Sequence, residues 1–183
     1  MRLKSILILL VILLALGGYF YYSNRPEPAP KPVSQVFVWL FEMEELQRVE
    51  MQLPQENLSQ AFIKEADRSW SFDDAQRAKV DMKRWGGGIP LLLSGPAAAR
   101  VIATNATAEK LAEFGLTQPQ MKIILTLESG KIMDIIVGHS TPDGTNYYVQ
   151  APGSNDVTTV DYTWYGVLER LVKEPPYIAP ATK

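Results

Sequence analysis

Cysteine is absent and histidine occurs once among the 183 residues. Without a thiol there is no disulfide, no thiolate catalysis, no zinc–thiolate or iron–sulfur ligation, and no lipid anchor on an N-terminal cysteine. With His139 alone, metal centres and acid–base catalysis lack their most common component. Charge of one sign is lacking too, with 18 Lys and Arg against 20 Asp and Glu. Nucleic-acid binding normally needs a dense basic face, and nothing here supplies one. These absences lead to an expectation of no catalytic residue, no cofactor, no metal and no nucleic-acid partner, and so of a protein that is not an enzyme.

What is present begins with a long apolar run. Residues Ile6 to Tyr22 read ILILLVILLALGGYFYY behind MRLKS. As a helix this stretch would rise roughly 26 Å, close to the hydrocarbon core of a bilayer. Tyr19, Phe20, Tyr21 and Tyr22 suit the headgroup interface at one end. Arg2, Lys4 and the free amine favour a cytoplasmic N-terminus, although Arg25 and Lys31 weaken the contrast. A cleaved signal peptide is the competing reading, because Ala15-Leu16-Gly17 is a small-x-small site. Cleavage would leave the aromatic cluster in water, so an uncleaved single-pass transmembrane helix over residues 1–24, in contact with membrane lipid through residues 6–22, is the expectation. RPEPAPKP then reads as a polyproline II spacer within a linker of residues 25–33. The domain expected outside the cytoplasm occupies residues 34–183.

Within that domain, SQVFVWLF is rich in β-branched and aromatic residues and predicts a strand. LQRVEMQL alternates, with Val49, Met51 and Leu53 on one face and Arg48, Glu50 and Gln52 on the other. PQEN turns the chain, Ala61 to Ala66 returns it, and Trp70 and Phe72 suggest a short third strand. Thr107 to Phe114 predicts a helix with a threonine cap and Gly115 past its end. Met121–Glu128 and Lys131–Val137 flank Ser129-Gly130 as a hairpin. Strands follow over Tyr147–Gln150 and Val157–Val160. Thr163–Lys173 places Trp164, Val167, Leu168 and Leu171 on one helical face before Pro175-Pro176. The class is α+β, a single domain of antiparallel sheet with two or three short helices. Its halves share a loose plan of hairpin, third strand and helix, which leaves an internal repeat open.

EFGLTQPQMKIILTLESGK followed by IIVGHSTPDGTNYYV resembles the bacterial domain-of-unknown-function family numbered 4340. The residues carrying the likeness are Gly115, Leu116, Pro119, Gly138, Thr141, Pro142, Gly144, Tyr147 or Tyr148, and Val149, with Trp70 earlier. The likeness extends over about Leu46 to Leu171. Members of that family face the cell envelope, and some are encoded beside ABC-transporter subunits of the gliding-motility type. The resemblance therefore implies location and company rather than chemistry. The family tends to carry a plain apolar helix over residues 85–95, and this chain departs there.

That departure is WGGGIPLLLSGP, residues 85–96. A P-loop would need a lysine and a hydroxyl after its last glycine, and a dinucleotide fingerprint needs G-x-G-x-x-G; neither pattern is met. Three glycines are costly within a helix, and Pro90 drives Ile89 from helical geometry. The run is expected to end one helical turn, Asp81 to Trp85, and begin another at Pro90, with Leu91, Leu92 and Leu93 in the core. A candidate docking ledge for a partner follows: Trp85, Gly86, Gly87, Gly88, Ile89 and Pro90, joined by Tyr162, Trp164 and Tyr165.

GHSTPDG sets His139, Ser140 and Asp143 close in sequence, but neighbours on a strand point to opposite faces, which argues against a hydrolytic triad. The leading expectation is a membrane-anchored, non-enzymatic accessory or scaffolding subunit of a larger bacterial membrane complex, a transporter or an electron-transfer assembly. The alternative is an extracytoplasmic binding module for a small molecule or cell-wall polymer. It would use a groove at His139, Thr141, Asp143 and Tyr147.

Overall fold

The computed structural model describes residues 3–23, 35–86 and 88–178. Two compact units divide the chain, Met1–Ser34 and Gln35–Lys183. The first holds helix α1, Leu3–Ser23. Its described side chains, Leu7 and residues 10 to 21, are exposed and largely apolar. Among the described residues no helix is long and apolar enough to cross a membrane. The expected span over residues 6–22 draws partly on side chains outside the described ones, and so does the linker over 25–33.

The second unit is one eight-stranded antiparallel sheet with short helices packed on it. Its strands are β1 Leu46–Leu53, β2 Leu58–Lys64, β3 Trp70–Phe72, β4 Arg100–Ala103, β5 Met121–Leu127, β6 Ile132–Ser140, β7 Asn146–Gln150 and β8 Val157–Asp161. Their order is β3-β2-β1-β5-β6-β7-β8-β4. The helices are α2 Met82–Trp85, α3 Ile89–Ser94, α4 Ala108–Glu113 and α5 Tyr162–Lys173. The expected α+β class holds. Two meanders, β1-β2-β3 and β5-β6-β7, meet where β1 pairs antiparallel with β5, so a two-fold axis normal to the sheet between them would exchange the two.

Strand alternation decides which side chains enter the core. Val49, Met51 and Leu53 of β1, Met121, Ile123 and Leu125 of β5, and Met133, Ile135 and Val137 of β6 are all buried on one face. A bulge between Leu46 and Arg48 shifts the phase of β1 and brings Leu46 to that face as well. Onto it pack Trp85, Ile89, Leu93, Trp164, Leu168, Leu171 and Val172 from α2, α3 and α5. Two indoles tie this layer down. Trp39 Nε1 donates to the Leu93 carbonyl at 2.7 Å and Trp164 Nε1 to that of Leu92 at 3.1 Å. The opposite face is covered over β6–β8 by a smaller cluster around Leu116, Ala106 and Val157, where Phe114 stacks on Tyr148 at 4.5 Å.

Four expectations need correction. Of SQVFVWLF, Ser34 lies outside the described residues, and residues 35–41 form no strand of the sheet. They bond instead to the segment after α3, through Val38 N–H to Pro96 O at 3.0 Å and Phe41 N–H to Ser94 O at 3.0 Å. Pro96 has no N–H to donate back, so a regular ladder cannot extend. The return strand of the first hairpin begins at Leu58 rather than Ala61, because Asn57 takes a positive φ of 55° and completes the turn there. Of the three leucines expected in the core, Leu93 is fully buried, whereas Leu91 is 64% exposed. Val167, assigned to the buried face of α5, is likewise 40% exposed, and Tyr165 and Val172 are buried instead.

The polar face of β1 carries a linked set of charges. Arg48 donates through Nε to Asp73 at 2.6 Å and through Nη1 to Glu50 at 2.8 Å. Gln52 Nε2 donates to Glu50 at 2.6 Å, and that bond, aided by Arg48, holds the Glu50 carboxyl below its ordinary value of 4.5. A depressed carboxyl stabilises the folded state above the unfolded value and loses that contribution as pH falls through the folded one. Denaturant midpoints measured from pH 6 down to pH 3 are expected to decline less steeply for Glu50→Gln than for the unmodified chain.

Candidate docking groove and a second cleft

The glycine run is built by its flanks. Asp81 accepts from Lys83 N–H at 2.9 Å and starts α2. Gly86 then takes φ 62°, a left-handed value that suits glycine. Gly87 lies outside the described residues. Gly88, at φ −90° and ψ −8°, leads into α3 with Pro90 in the first turn. Two short helices broken by glycine thus replace a plain apolar helix.

This geometry overturns much of the expected ledge. Trp85 is 1% exposed and packs on Phe62 at 4.6 Å and Trp70 at 5.3 Å between ring centroids. Ile89, Trp164 and Tyr165 are buried as well. Tyr165 stacks on Tyr147 at 4.0 Å, and burial pushes its hydroxyl up to about 12. Only Gly86, Gly88, part of Pro90 and Tyr162 face solvent among the described ledge residues. Three aromatic side chains that look like docking anchors in the sequence, Trp85, Trp164 and Tyr165, are core residues.

In place of a ledge there is a groove between α3 and α5. One hollow of about 390 Å³ is lined by Arg84, Trp85, Gly88, Leu92, Val167 and Arg170, among others. A second of about 420 Å³ continues it past Leu91, Gly95, Pro96, Thr163 and Trp164. Both share Gly88, Leu92 and Val167. The exposed apolar side chains beside it are Leu91 and Val167. Sequence reasoning missed Arg84, Leu92, Val167 and Arg170, since a groove between two helices has no local signal.

A separate cleft of about 300 Å³ lies beside the Pro142 turn, lined by Arg100, Ile102, Thr141, Asp143, Asn146, Tyr148 and Thr159, among others. Thr141 and Asp143 of the expected ligand groove line it. His139 and Tyr147 do not. His139 is exposed next to Gly115, and Tyr147 is turned to the opposite face of the sheet against Tyr165. Tyr148 and Arg100 stand there instead. Alternation from buried Val149 would have assigned Tyr147 to the core side, but the approach of Arg100 from β4 depends on strand order. Asp143 accepts from the Thr141 hydroxyl and the Thr145 N–H, which keep its carboxyl below the usual range. A third hollow, of about 590 Å³, surrounds Lys64, Arg68 and Trp70, where Lys64 is already bound to Glu128 at 3.0 Å. Among the described residues no three His, Asp or Glu side chains gather as a metal site.

The residues that carry the family likeness have architectural positions. Gly115, at φ 73°, ends α4, and the Phe114 carbonyl accepts from His139 N–H at 2.9 Å. Gly138 lies so close to that carbonyl that a Cβ there would be 2.1 Å from it. Gly144, at φ 71°, turns the chain after Pro142, and Val149 is fully buried. No curated protein and no solved structure matches the chain. A family model does match, over residues 70–170, from β3 into α5 and more than half the chain, and its description is Domain of unknown function (DUF4340). The chain belongs to that family.

Proposed function

We propose that the protein is a single-pass, membrane-anchored accessory subunit, non-enzymatic, whose domain outside the cytoplasm docks on a larger membrane assembly. The observation that carries this reading is the groove between α3 and α5, edged by exposed Leu91 and Val167. Exposed apolar side chains along a concave surface are a feature of partner surfaces. Anchoring is supported by the backbone bounds of α1, Leu3–Ser23, which at helical rise come to about 31 Å, and by the apolar run from Ile6. An exporter or an electron-transfer complex would suit such a subunit. The two meanders that meet at β1 and β5 also support a reading of the domain as two repeated halves.

The test is to tag Lys183, solubilise native membranes gently and identify what co-purifies. A stoichiometric set of membrane subunits is expected. A protein recovered alone would sink the reading. A reporter fused after Lys183 is expected to be active only outside the cytoplasm, and activity inside would reverse the topology.

A second reading is favoured by the cleft at Pro142. Its Arg100, Asp143, Asn146 and Tyr148 combine both charges, an amide and a ring in a concave site, as a small polar ligand or a cell-wall polymer would require. Binding of cell-wall fragments that is lost in Arg100→Ala would support it. Equal binding by that variant would dismiss it.

A further inference from the structure

We propose that the α3–α5 groove seats one helix of a membrane partner, crossing closest at Gly88 and bearing a carboxylate at the Arg84–Arg170 end. This inference rests on the docking reading above and names the chemistry of the partner.

Gly88 is the first observation. Its backbone lies in the right-handed helical region, which any residue adopts, and a Cβ there would meet nothing within 4 Å. Neither conformation nor packing within the domain requires glycine, in contrast to Gly86 at φ 62°. Gly88 stands at the N-cap of α3 and provides no side-chain cap, which Ser, Asp or Asn would supply there. Gly88 lines both hollows of the groove. A bare backbone at that point lowers the wall where another backbone can approach.

Shape is the second. Thr163, Val167 and Arg170 follow one another along α5 at helical spacing and, with Glu174 just past its end, form one wall, with Gly88, Leu92 and the α3 side forming the other. The 12 residues of α5 extend about 18 Å, which matches a helix of about three turns laid alongside.

Charge is the third. Arg84 donates through Nη2 to the Glu174 carbonyl at 3.1 Å, and neither Arg84 nor Arg170 has a carboxylate partner among the described residues. Lys173, one turn of α5 away, is by contrast occupied by Glu56 at 2.7 Å and Glu169 at 2.9 Å. Glu174 also lines this end, so the two guanidiniums leave a net positive rim. An acyl chain would answer the apolar floor but would remain half in water along an open groove. An apolar helix with an acidic end satisfies both features.

The experiment uses the full chain in native membranes with the photo-crosslinker p-benzoylphenylalanine in place of Val167. The adduct is expected to be one peptide of another membrane subunit, apolar at helical spacing and acidic toward one end. Gly88→Ala should lower the yield, though less than a bulky side chain does, because its Cβ enters the wall at the crossing point. Gly88→Phe, and separately Arg84→Glu with Arg170→Glu, should each lower it by about ten-fold, with unfolding midpoints unchanged. Adducts to lipid or to a second copy of this chain, or yields indifferent to both sets of substitutions, would overturn the proposal. If the partner still co-purifies with those variants, the groove assignment falls and the accessory-subunit reading stands. If nothing co-purifies with the unmodified chain, both fall.

Discussion

Trp85→Ala is expected to destabilise the Gln35–Lys183 unit by about 3–5 kcal/mol, the range for truncating a large buried ring. Trp85 is 1% exposed and lies against Phe62 and Trp70, so truncation opens a cavity between the sheet and the helical layer. Denaturant unfolding of the full chain would measure it. Trp85→Phe should cost distinctly less. Its indole N–H is buried without a partner among the described residues, and phenylalanine removes that uncompensated donor with the lost ring area. A loss under about 1 kcal/mol for Trp85→Ala, coupled to loss of a partner, would restore the surface ledge that the sequence suggests.

Gly138→Ala is the second large effect. The new Cβ would sit 2.1 Å from the Phe114 carbonyl oxygen and 3.2 Å from the Gly115 carbonyl carbon, both backbone atoms. Backbone cannot swing aside as a side chain can, and the same carbonyl accepts from His139 N–H. The expected cost is about 3 kcal/mol, at the upper end for forced overpacking. Faster amide exchange in α4 and through Leu116 should accompany it. Gly115→Ala is the informative contrast. Its clash is with the imidazole of exposed His139, which can move, so the cost reduces largely to the positive φ of 73°, about 1 kcal/mol. If the two substitutions cost the same, the close approach at Gly138 does not hold α4 on the sheet.

These two positions lie in stretches that the sequence singles out, WGGGIP and GHSTPDG, and in both the residue types point toward function while the packing explains them as architecture. The ring of Trp85 and the missing Cβ of Gly138 are needed by neighbours 23 and 24 residues away in sequence, Phe62 and Phe114. The groove shows the reverse. Val167 and Leu91 read as core by spacing, yet they are exposed and edge an apolar groove. Apolar spacing along a helix identifies a face, not whether anything in the same chain covers it. In the second cleft, Thr141 and Asp143 are legible because a Pro-Asp-Gly turn is local. Arg100 is not, because β4 reaches the cleft only by crossing to the far edge beside β8.

By itself the sequence determined the α+β class, the β5–β6 hairpin, the threonine cap of α4, the break at the glycine run and the apolar N-terminal helix. Each follows from interactions spanning a few residues: alternation, cap chemistry, a proline's fixed φ, a glycine's freedom. The tertiary structure alone decided the strand order, the departure of SQVFVWLF from the sheet, the burial of Trp85 and Tyr165, and the pairing of α3 with α5 around an open groove. Those outcomes depend on which distant surfaces exclude water together, and burial free energy scales with area that no local window contains.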